Sequence, residues 1–183
     1  MKYQILNNLK QFPCLKKSSS FFYDLSCRLT ETVNHEEYNI DGNLLPYCSK
    51  EQITDLFSRW SIKSFKQLDR YSSLVSKLCQ YQTTVLIDLM KNDLNELNPK
   101  DEKYFNYFDD KSQLLEIISK KSSKELLDFF LFYLNQLENH QRSFPSIVSN
   151  HQKYFFEKCP NEMIDLISLV ATNRTGSNPF NRF

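Results

Sequence analysis

Apolar residues recur along this chain at intervals of three and four, the spacing that lines one face of an α-helix. Ile5, Leu6 and Leu9 mark a short helical arm within residues 1–12, stopped by Pro13. Ser18, Ser19 and Ser20 offer capping oxygens to a second helix carrying Phe22, Leu25, Leu29 and Val33 and ending near His35. Residues 38–46, with Asp41 and Gly42 inside, form the clearest loop. The strongest signal is Ser49 with Gln52 three residues later, a capping box ahead of Ile53, Leu56, Phe57 and Trp60. Leu68, Tyr71, Val75, Leu78, Val85 and Leu89 then make a heptad seam broken once at Gln82, which Leu74, Tyr81 and Leu86 widen. This pattern predicts a helical segment reaching from 49 to 97, bent near 61–64 and ended by Asn98-Pro99.

Tyr104, Phe105, Tyr107 and Phe108 sit among acidic residues in 100–111, which reads as a connector whose aromatics pack back onto the helices, with room for one helical turn. Asp110 or Ser112 is the expected cap of the next helix, through Leu114, Leu115, Ile117 and Ile118. Ser122 with Glu125 makes a second capping box that signals a break or a fresh start. Residues 126–137 are apolar almost all round, the mark of a central buried helix. Ser143-Phe144-Pro145 interrupts the pattern and 147–157 resumes it. Pro160 suits the first position of a last helix carrying Met163, Ile164, Leu166, Ile167 and Val170. The expected fold is all-α: a single irregular bundle of about six to seven helices, two or three of them long and amphipathic. It forms one helical domain over 1–171, with 172–183 a flexible tail.

Composition narrows the chemistry. Only Gly42 and Gly176 are glycines, so neither G-x-x-x-x-G-K-[ST] nor G-x-G-x-x-G can be written, and loops that bring backbone against phosphate are excluded. A net charge of +1 argues against a protein that neutralises nucleic-acid phosphates. Cys14, Cys27, Cys48, Cys79 and Cys159 are odd in number and form no C-x-x-C pair, which reads as reduced thiols in the cytoplasm. The longest apolar run, residues 129–134, falls far short of the roughly 20 residues that cross a bilayer.

His35, His140 and His151 have polar neighbours and no partner at metal-ligand spacing, so no metal and no cofactor is expected. Cys48, on the loop before a capped helix, is the one candidate for a nucleophile in a cysteine-dependent enzyme. Residues 139–144 (NHQRSF) nearly repeat as 150–155 (NHQKYF), eleven residues on; a continuous helix would put both on one polar face, a continuity that Pro145 opposes. Asn178-Pro179-Phe180 resembles the ligands of EH domains. The stretches 65–97 and 112–142, joined by a short connector, resemble the helical hairpin of phasins, which coat polyester granules, although phasin helices are richer in alanine and poorer in aromatics. The resemblance implies an amphipathic surface-coat role as an alternative. The reading adopted from the residues is a non-enzymatic interaction module, an adaptor, chaperone or regulatory subunit. It would bind a protein partner through an apolar groove anchored by Phe57, Trp60, Phe129, Phe132 and Tyr133, and the same composition is compatible with a homo-oligomer.

Overall fold

The computed structural model describes residues 23–24, 47–69 and 72–171. The expected elements over 1–12, 18–35 and 38–46 and the tail over 172–183 lie outside these residues, except for Tyr23 and Asp24, which are helical. Among the described residues there is no strand, and from Lys50 to Ala171 ten α-helices and the 3₁₀ turn Asn139–Gln141 follow one another. The chain divides into two compact units, residues 1–86 and 87–183.

In the first unit, the predicted capping box starts α1 (Lys50–Arg59). Ser49 Oγ accepts from Gln52 N at 3.2 Å, and Gln52 Oε1 accepts from Ser49 N at 2.9 Å. The apolar face so begun buries Ile53, Leu56 and Phe57. The helix does not continue through a bend, as its periodicity suggested; it stops in a Schellman turn. Ser61 N donates to Ser58 O at 3.1 Å and Ile62 N to Phe57 O at 2.8 Å, while Ser61 itself sits at φ 57°. Ile62 and Phe57, the apolar pair that accompanies such a turn, are both buried. Ser64 caps the short α2 (Phe65–Leu68), which packs against α3 (Ser72–Tyr81).

The expected long helix over 65–97 breaks again at Gln82. Gln82 N still donates to Leu78 O at 2.8 Å, closing α3, while its carbonyl accepts from Val85 N at 3.1 Å and opens α4 (Thr83–Glu96). Its side chain is held elsewhere, Nε2 donating to Cys48 O at 3.3 Å. The seam residues Leu68, Leu74, Leu78, Val85, Leu86 and Leu89 are buried as the pattern required, but Tyr81 is exposed. No described helix exceeds the 14 residues of α4, so apolar phase is kept across breaks that periodicity does not register.

The second unit is organised around α7 (Ser123–Asn135), which packs against α6 (Ser112–Lys121), α9 (Gln152–Lys158) and α10 (Pro160–Ala171); α8 (Ser146–Asn150) touches α6 and α9. As expected from its composition, α7 is the core helix, burying Leu126, Leu127, Phe129, Phe130, Tyr133 and Leu134. The connector contains the single turn α5 (Glu102–Phe105) and does fold back. Tyr104 stacks on Tyr133 at 5.1 Å between centroids, and Phe108 meets Phe129, Phe130 and Tyr133 edge-on at 4.8–5.7 Å. Tyr107 is buried and its hydroxyl donates to buried Asp93 at 2.7 Å.

Two capping expectations fail. Lys111, not Asp110 or Ser112, is the residue preceding α6, and it makes no side-chain cap. The helix does restart after Ser122, yet Ser122 caps with its backbone alone. Its N–H donates to Ile118 O at 2.8 Å and its carbonyl accepts from Leu126 N at 3.0 Å. The same one-residue corner recurs where the sequence read a single helix over 147–157: His151 ends α8 and begins α9, and Cys159 ends α9 and begins α10. The three corner residues share φ of −127° to −142° with ψ of 31° to 64°, and the negative φ spares them any need for glycine. Chain direction therefore changes without glycine, which is how so glycine-poor a sequence folds into short helices.

Candidate functional site

The last helix carries more apolar surface than its neighbours cover. Pro160 occupies the first helical position, where a missing N–H costs nothing, and Met163 N donates to the Cys159 carbonyl at 3.1 Å. Met163 and Leu166 are buried, and α10 packs against α7 and α9. A rotation of about 100° per residue sets Pro160, Ile164, Ile167 and Ala171 in a second line, four, three and four residues apart, and all four are exposed. Ile164 is 55% exposed and Ile167 36%. Two isoleucines one turn apart, in line with a proline and an alanine, form a narrow apolar stripe on the surface.

Acidic groups border this helix. Asp165 is exposed one step round from Ile164. On the side facing α7, Lys124 Nζ donates to Glu162 at 2.5 Å and to Asp128 at 3.4 Å. The Lys124 ammonium holds the Glu162 carboxyl below its usual range, and that carboxylate in turn pushes the Lys124 ammonium up. Burial pushes the Cys159 thiol up, and Glu162, Glu125 and Asp128 act in the same direction against Lys124. A thiol so placed stays protonated and is a poor nucleophile.

The five anchor residues named from the sequence lie mostly inside. Phe57, Trp60, Phe129 and Tyr133 are buried, and burial holds the Tyr133 phenol up at about 12. Phe57 and Trp60 pack together at 5.9 Å in the first unit, where the Trp60 Nε1 finds no hydrogen-bond acceptor among the described residues. Phe129 and Tyr133 belong to the aromatic core around Phe108. Phe132 alone is half-buried, with Lys91 Nζ 5.9 Å from its ring centre. The structure thus does not bring the five together on a surface; their bulk made them core material, because large aromatic rings release the most water on burial.

Cys48 is buried at 4% exposure, and Cys79 and Cys159 are buried as well. Among the described residues no group of His, Cys, Asp and Glu could hold a metal ion, and His140 and His151 are exposed. No helix among them is long and apolar enough to cross a membrane. The near-repeat does not form one face. Arg142 of the first copy donates from Nε to Leu134 O at 3.0 Å and Leu137 O at 3.2 Å, closing the C-terminus of α7. In the second copy, Lys153 is exposed and Tyr154 donates to Ser119 O at 3.1 Å. His35, Cys14, Cys27 and Asn178-Pro179-Phe180 lie outside the described residues.

Ile164 and Ile167 were visible in the sequence only as part of the last helix's apolar set. The signal that separates them is angular: with Met163, Leu166 and Val170 they spread the apolar arc wider than one packing face requires. No family model matches this chain, and neither a curated protein nor a solved structure shows significant similarity to it.

Proposed function

We propose that this protein is a non-enzymatic helical interaction module and that it docks a protein partner on the exposed face of α10. The observation that carries the reading is the stripe Pro160, Ile164, Ile167 and Ala171, which lies on the outside of a helix that buries Met163 and Leu166 on its other side. Exposed β-branched apolar side chains aligned at i and i+3 match the anchor spacing of helix-on-helix recognition. Phe132 of α7, half-buried beneath Lys91, is the one survivor of the earlier anchor set. The buried Cys48 fits a core filler better than a nucleophile, so the cysteine-enzyme alternative draws no support from its position. A photo-crosslinking residue placed at 164 or 167 in the native cell tests the reading. One protein adduct at near-stoichiometric yield is expected from those positions and none from exposed Gln113 on α6. Equal adducts from all three positions, or none from 164 and 167, would overturn it.

A further inference from the structure

We infer that residues 129–137, the apolar end of α7 and the turn after it, are a latent self-assembly segment: packed in the second unit's core in the native fold, and a cross-β strand shared with other copies of this chain once released. The stretch reads FFLFYLNQL, nine residues with no charge, no glycine and no proline. Phe129, Phe130, Phe132 and Tyr133 are of residue types enriched in strands and middling as helix formers. In an extended chain alternate side chains point to opposite faces. One face would carry Phe129, Leu131, Tyr133, Asn135 and Leu137, the other Phe130, Phe132, Leu134 and Gln136. Each has apolar side chains for a dry interface and one carboxamide for a ladder along the stack, the composition of a steric zipper. The other uncharged stretches of eight residues or more without glycine or proline, 78–87 and 166–173, hold one aromatic ring and none.

Groups outside the segment hold it in its native form. Burial of Phe129, Phe130, Tyr133, Leu134 and Leu137 stabilises the helix and its turn, as tertiary packing does for most helices. No glycine closes this end of α7. Instead Arg142 Nε donates to Leu134 O and Leu137 O, and the Tyr104 hydroxyl donates to Tyr133 O at 3.3 Å. Loosening these holds frees carbonyls and both faces together for pairing with another copy. Asp128 and Glu138 flank the stretch with charge of one sign. Copies stacked in register repel there, which confines the strand to 129–137 and makes assembly faster as salt screens the charges.

The test uses the full-length protein, agitated at its melting midpoint and followed by thioflavin T fluorescence, with the protease-resistant core of the product identified by mass spectrometry. Fibrils whose protected core spans 129–137 are expected, forming faster at about 0.5 M salt than at about 0.05 M. Two variants separate the segment from mere loss of stability. Leu131→Glu changes a half-buried position and adds a like charge to every layer of a stack, so the lag should lengthen about tenfold or more when each protein is held at its own midpoint. Arg142→Met keeps an unbranched side chain but loses the donor to Leu134 O and Leu137 O, so fibrils should appear several-fold sooner at a temperature where the parent stays soluble. Persisting solubility or a dye-negative precipitate at the midpoint, a protected core in another stretch, an unchanged lag for Leu131→Glu, or Arg142→Met assembling no sooner than the parent would each overturn the inference.

Discussion

Ser61→Gly should make this protein more stable. Ser61 stands at φ 57°, the sole non-glycine residue with positive φ among those described, at the position of a Schellman turn that glycine usually occupies. A side chain there brings Cβ towards the following carbonyl, at about 1–2 kcal/mol. Glycine removes that strain but widens the unfolded ensemble, which takes back about 0.4–1 kcal/mol. The expected net gain is about 0.5–1 kcal/mol, a rise in Tm of about 1–4 °C for a chain of this size. Urea unfolding followed by tryptophan emission reads the right place, because Trp60 is the single tryptophan and is adjacent to the turn. Ser61→Pro provides the opposing arm. It fixes φ near −65° and deletes the N–H that donates to Ser58 O, so a loss of about 3 kcal/mol or more is expected. A glycine variant less stable than the parent, or a proline variant as stable, would refute the assignment of a left-handed turn at this corner.

Removing the cap of α1 by Ser49→Ala should cost about 1 kcal/mol, read as a lower urea midpoint at unchanged slope. Phe108→Leu keeps volume close while losing four edge-on ring contacts, with Tyr107, Phe129, Phe130 and Tyr133. A cost of about 1–3 kcal/mol is expected from pairs that are individually small and not additive, and a loss below a few tenths would show that the cluster is loosely packed. Stability should also fall in alkali. Burial raises the Tyr133 phenol from 10.0 to about 12 and pushes Tyr104 up as well. The folded state therefore keeps protons that the unfolded chain has lost, and the stabilisation is complete below pH 10 and lost as pH rises through about 12. Absorbance of tyrosinate near 295 nm (roughly the ionised phenol's band), recorded with circular dichroism, should show ionisation of these residues coinciding with unfolding; ionisation of all ten tyrosines near pH 10 in a still-folded protein would contradict it.

The sequence by itself determined the all-helical class, the start of α1 at Ser49, the start of α10 at Pro160 and the burial of α7. Each rests on a local cause: a capping pair three residues apart, a proline tolerated only at a helix start, an apolar arc that runs almost all round. Tertiary structure decided how completely the long apolar runs break and which apolar residues face outward. Gln82 and His151 bear no glycine or proline signal, whereas Ser122 begins a capping box and Cys159 precedes Pro160; all four become corners because a backbone carbonyl can serve the next helix while its N–H still closes the last. Phe57, Trp60, Phe129 and Tyr133 looked like anchors for a partner but fill the core, whereas Ile164 and Ile167, legible only as part of the last helix's apolar set, remain on the surface. Periodicity reports that a helix has an apolar side. How much of that side is covered depends on which neighbours arrive and at what angle, and that information is held by residues distant along the chain.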